Sequence, residues 1–175
     1  VRAIKKAQEL GQNTVGSKYW RTRLNHKKYI NKIQDLCTYE PKSYWEHRAR
    51  SWDRQAGTAF PDLEQIEPLL LELKPETVLD IGCGSGRWYP YFEKQNVNYR
   101  GIDISENLVK IAQEKYPEAM FKACKVEDIP KPPKKFALGF CYPTLEHITE
   151  EEFPKAVKAL KDSCKKLILI EPQNF

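Results

Sequence analysis

The chain reads as an α/β protein: a doubly wound, mostly parallel sheet with helices on both faces, preceded by a basic helical extension. Three observations predict this. After Pro75, short apolar runs alternate with helical stretches, as in βαβ units whose parallel sheet is buried on both faces. One run leads into glycines at alternate positions, in the stretch "TVLDIGCGSGRW" over residues 77–88. Charge is unevenly spread: residues 1–42 hold ten Lys/Arg against three Asp/Glu, whereas the remainder is slightly acidic.

The elements follow in order. Residues 1–37 read as two helices broken between Gly11 and Gly16, with Ser17 as an N-cap and Trp20, Leu24, Ile30, Ile33 and Leu36 forming an approximate stripe. Pro41 marks a boundary, because it disfavours helix in the residue before it. Residues 1–42 are therefore one unit and 43–175 a second. Helical character resumes at Ser43 and again over 63–73. Strands are expected at 77–81, 99–102, 120–124, 136–142 and 167–170, with helices at 87–94, 106–116 and 150–163.

Composition excludes several classes. With 41% hydrophobic residues the chain can form a full core, yet no apolar run approaches the ~18 residues of a membrane span, and the N-terminus lacks a signal peptide's apolar centre. Five scattered cysteines without a C-x-x-C pair argue for reduced thiols in a cytoplasmic setting and against structural zinc. No metal motif is present among the three histidines. The basic segment suits either a nucleic-acid-binding arm or a solvated helical hairpin on the main domain.

The glycines define the first candidate site. A bare strand-to-helix turn lets backbone N–H groups approach a ligand at the carboxyl end of a parallel sheet. Gly82, Gly84 and Gly86, preceded by Asp80, give G-x-G-x-G rather than the G-x-G-x-x-G of pyrophosphate binders. "LDIGCGSG" resembles the first motif of the Rossmann-like S-adenosylmethionine-dependent methyltransferases. "YRGIDIS", "CKVEDIP", "ALGFCYPTLEHI" and "LILIEP" resemble that family's later strand motifs in order, and "YWEHRARSWD" is similar to its helix over the cofactor.

The resemblance covers residues 43–175 and implies S-adenosylmethionine as cofactor. It implies that Asp80, Gly82, Cys83, Gly84 and Gly86 line the amino-acid portion and that Asp103 holds the ribose hydroxyls. Ile104, Val126, Glu127 and Cys141 complete the implied cofactor site, although Lys125 stands where relatives place the acid for the adenine amino group. Tyr44, Trp45, Trp52 and Tyr142 are implied lid and substrate residues, and Glu146 and His147 are the candidates for removing an acceptor proton.

"FCYPTL" lacks the [DN]-P-P-[YFW] pattern of nucleobase amine methylation, which marks down that acceptor and leaves ribose, tRNA and small molecules open, with a small molecule preferred to RNA. The other reading is a methyltransferase-like binding module whose basic arm contacts nucleic acid. The chain stops at Phe175, just past the fifth strand, where the resembled family continues with a helix and an antiparallel strand pair. An apolar edge is normally covered, so the N-terminal helices, a second copy in a homo-oligomer or further chain should cover it.

Overall fold

A computed structural model describes residues 4–7, 40–56, 60 and 62–170. Strand β1 (Ile4–Ala7) is followed by helices α1 (Pro41–Ala56) and α2 (Leu63–Leu73). There follow β2 (Thr77–Ile81), α3 (Tyr89–Lys94), β3 (Asn98–Asp103), α4 (Glu106–Lys115), β4 (Met120–Ala123), β5 (Phe136–Cys141), α5 (Phe153–Ser163) and β6 (Cys164–Ile170). The sheet order is β1-β6-β5-β2-β3-β4, with β2 to β6 all parallel and β1 antiparallel to β6.

Ile4–Ala7 corrects one expectation. The sequence reading placed this segment in a helix, whereas Ile4 pairs with Ile170 and Ala7 with Leu167 across an antiparallel ladder. The β6 edge is thereby paired by the chain's own N-terminal segment, which satisfies the backbone groups an apolar edge would leave open. The rest of the expected basic hairpin, including Ser17 and Trp20, lies outside the described residues.

Both faces of the sheet are covered, as its continuous apolar strands require. On one face Val78, Tyr99, Leu138, Phe140 and Ile168 pack with Ile66 and Leu70 of α2 and Phe92 of α3. On the other, Leu79, Ile81, Cys141 and Leu167 pack against Phe153, Ala156 and Leu160 of α5. This alternation within β2 follows from the period of two along a strand.

Strand order sets the position of the site. From β2 the chain winds outward through β3 to β4, then returns to lay β5 on the other side of β2. A crevice therefore opens beyond Ile81 and Cys141, where the winding direction reverses, and ligands in open α/β sheets bind at such a switch point.

Helix α1 forms the roof of that crevice. Its first turn is capped by Glu40, whose carboxylate accepts from the Lys42 and Ser43 amides at 3.1 and 2.6 Å. Glu46 then caps the neighbouring helix, accepting from the Glu106 and Asn107 amides at 2.6 and 3.0 Å. A carboxylate on free N–H groups at a helix start is favourable on both hydrogen-bonding and dipole grounds. Ion pairs Lys42–Glu106 and Lys115–Asp53 add to this clasp, each exposed and so a small contribution.

Candidate active site

A cavity of about 640 Å³ occupies the crevice. Its floor is the glycine turn after β2, one wall comes from the loops after β3 and β4, the opposite wall from residues 142–149, and α1 closes it above.

The turn needs its glycines for different reasons. Gly82 and Gly84 have φ of +74° and +55°, the left-handed region that costs other L-residues energy. A Cβ on Gly82 would overlap the Thr144 side chain, whose hydroxyl donates to the Ile81 carbonyl at 3.1 Å. A Cβ on Gly84 would meet only Trp52 Nε1, at 3.8 Å, so this position opens on the cavity. Gly86, with φ of +81°, faces the rings of Tyr116 and Phe121 and does not line the cavity.

Asp103, at the end of β3, is 8% exposed and lines the cavity. Its Oδ2 accepts from the Gly84 amide and its Oδ1 from the Ser105 amide, both at 2.9 Å. The carboxylate thus fixes the glycine turn and the α4 N-terminus while each oxygen keeps acceptor capacity for a ligand hydroxyl. Burial pushes its pKa up to about 6, against the lowering effect of the backbone N–H groups.

Asp80 is placed differently. It is 2% exposed, lies outside the cavity lining, and accepts the Tyr99 hydroxyl at 2.6 Å. Burial raises its pKa to about 7, only partly opposed by the Tyr99 bond. A carboxyl that prefers to be neutral in the folded chain ionises more readily when unfolded, so its contribution to stability is lost as pH rises from about 4 to about 7. Asp80→Asn keeps an oxygen for Tyr99 and removes this titration. The melting temperature of the variant relative to the unchanged chain should therefore increase between pH 5 and pH 8; a constant difference would contradict the buried-carboxyl assignment.

Of the other sequence-predicted residues, Cys83, Ile104, Val126 and Glu127 line the cavity, whereas Cys141 is fully buried beneath it. Lys125, the departure from the resembled pattern, pairs with Glu152 at 2.8 Å and Glu127 at 3.4 Å. Tyr44, Trp45 and Trp52 face the cavity from α1, with the Trp45 ring 5.2 Å from Trp52 and 5.3 Å from His147, both edge-on. His147 Nε2 stands 3.6 Å from Glu146 Oε1. Tyr142 donates to Asp62 Oδ2 at 2.8 Å. The sequence reading missed Arg87, Trp88, Thr144 and Glu152 as lining residues. No cluster of metal-ligating side chains occurs among the described residues.

A switch-point cavity with a glycine floor and a carboxylate at the end of the second parallel strand defines a cofactor-binding α/β domain. The chain belongs to the methyltransferase domain family, whose model matches residues 78–166, just over half of the chain. It is similar to the ubiquinone biosynthesis O-methyltransferases of Coxiella burnetii, 28% identical over 115 residues covering 59% of this chain and 49% of the relative. The corresponding protein of Bordetella avium is 30% identical over 115 residues, covering 58% and 47%. The chain thus spans about half the length of the curated relatives it matches.

Among solved structures, the fold resembles magnesium protoporphyrin IX methyltransferase from Synechocystis with bound SAH. The TM-score is 0.59 at 21% identity, covering 73% of this chain and 68% of that one. It also resembles the PH0226 protein of Pyrococcus horikoshii, with TM-score 0.57 at 24% identity, covering 63% and 53%.

Proposed function

We propose that the chain is an S-adenosylmethionine-dependent methyltransferase acting on a small-molecule acceptor. The observation that carries this reading is the juxtaposition of Gly84, whose missing Cβ opens on the cavity, with Asp103, whose carboxylate lines the same space. These residues fit the cofactor: the turn exposes backbone to an amino-acid tail, and the carboxylate oxygens suit paired ribose hydroxyls. Val126, Glu127 and Ile104 hold the adenine side, and Lys125, tied to Glu152 and Glu127, takes no part in reading the amino group.

When bound, S-adenosylmethionine supplies a methyl group on a positive sulfonium. The protein's own contribution is alignment, which alone can remove several kcal/mol of a bimolecular barrier. Trp45 and Trp52 on α1 give the acceptor an aromatic wall, held in place by the Glu46 clasp on α4. His147, which lines the cavity with Nε2 3.6 Å from Glu146 Oε1, is the residue that takes an acceptor proton. Small acceptors are supported by the names of the relatives, which are enzymes of ubiquinone biosynthesis and of magnesium protoporphyrin IX methylation.

A cytoplasmic setting is supported by the described cysteines, Cys83, Cys124, Cys141 and Cys164, all of which are free thiols. No described helix is long and apolar enough to cross a membrane.

The test is transfer of label from methyl-tritiated S-adenosylmethionine to a panel of catechols, phenols and aromatic carboxylates. Label in a small acceptor is expected. A chain that binds the cofactor yet labels no member of the panel, but does label RNA, would overturn the small-molecule reading.

A further inference from the structure

Arg87 follows the glycine turn directly and is half-buried in the cavity wall. Its guanidinium carbon lies 5.7 Å from the centre of the Trp52 ring, and Tyr142 and Trp88 line the cavity beside it. Among the described residues it has neither an ion pair nor a side-chain hydrogen bond. The cavity's other fixed cation, Lys125, is doubly paired. Partial desolvation works against the Arg87 charge and lowers its pKa.

A cation withdrawn from water without a counter-charge is costly, and a ligand anion can remove that cost. The cation–π contact with Trp52 uses none of the guanidinium N–H groups, which therefore remain available to an acceptor such as a carboxylate. The remaining described lining is rich in carboxylates, Glu40, Asp103, Glu127, Glu146 and Glu152, and of its two fixed cations Lys125 is already paired, which leaves Arg87 to attract a ligand's negative charge.

We propose that Arg87 reads a carboxylate on the methyl acceptor, making the acceptor a planar aromatic acid whose ring lies against the Trp52 and Tyr142 wall. This rests on the methyltransferase reading above. The cofactor's own tail carries a carboxylate too. That tail brings an ammonium with it, and the cofactor as a whole is net positive, so it leaves the charge of Arg87 largely uncompensated. An anionic acceptor compensates it.

The experiment is calorimetric titration of the chain, saturated with S-adenosylhomocysteine, with naphthalene carboxylate and with its uncharged amide. The acid is expected to bind at least about tenfold more tightly than the amide. Arg87→Gln should abolish that preference while leaving S-adenosylhomocysteine affinity within about threefold, and Arg87→Lys should keep part of the preference. Equal binding of the two probes, no binding of the acid, or a preference that survives in Arg87→Gln would overturn the proposal. So would a loss of about tenfold or more in S-adenosylhomocysteine affinity in Arg87→Gln, which would give the guanidinium to the cofactor's tail. Failure of the unchanged chain to bind S-adenosylhomocysteine would instead overturn the methyltransferase reading itself.

Discussion

Asp103→Ala should bind S-adenosylhomocysteine at least about tenfold more weakly than the unchanged chain, since a charge-assisted hydrogen bond contributes about 1.5 to 3 kcal/mol. Two effects combine in this variant. The ligand loses its hydroxyl acceptor, and the Gly84 and Ser105 amides lose the oxygens that hold the turn and the α4 start. Asp103→Asn separates them. Its amide oxygen can still accept one of the backbone N–H groups, so the thermal midpoint should fall less than in Asp103→Ala while affinity remains reduced. Unchanged affinity in both variants would remove Asp103 from the site.

Gly82→Ala should be the most destabilising single-methyl change in the turn. Alanine at φ +74° costs about 1 to 2 kcal/mol. Its Cβ also overlaps the Thr144 side chain, and overpacking typically costs about 1 to 3 kcal/mol more. For a chain of this size the sum lowers the thermal midpoint by roughly 10 °C. The double variant Gly82→Ala, Thr144→Ala removes the overlap and leaves the backbone strain, so about half of the loss should return. No recovery would mean that the strain lies elsewhere. Gly84→Ala makes the complementary case: it carries the backbone strain of φ +55° without the overlap, so stability should fall less than in Gly82→Ala, while its methyl enters the cavity and ligand affinity falls as well.

The central strands β2 and β5 and the end of β6 were legible as near-continuous apolar runs, as strands buried on both faces are. NYRGID and MFKA, with Asn98, Arg100, Met120 and Lys122 exposed, were legible instead from their place between helical stretches. The glycine turn and Asp103 were legible because a bare backbone and an acid at the next strand end have few other uses. Ile4–Ala7 was not. The segment IKKA is apolar only at its ends, and what makes it a strand is the edge of β6 at the far end of the chain. Such pairing is a tertiary decision that overrides local propensity.

Asp80 shows the same limit within the site. The resemblance assigned its carboxylate to the cofactor's amino-acid portion, but which way that group turns depends on the register that sets Val78 opposite Tyr99 and brings the phenol to 2.6 Å. Arg87 did carry a signal in the sequence. A cation just before a helix start runs against the helix dipole, and a residue placed against that preference needs another reason to be there. Glu46 carried none, since its partners are the amides of Glu106 and Asn107 on a helix far along the chain.

The central claim is that the cavity over Gly84 and Asp103 is a working cofactor site. Calorimetric titration of the 175-residue chain with S-adenosylhomocysteine, beside methylthioadenosine, which lacks the amino-acid tail, tests it most directly. The structure predicts one-site, micromolar binding of S-adenosylhomocysteine, with methylthioadenosine weaker because the glycine turn has nothing to hold. A folded chain that binds neither compound would contradict the claim.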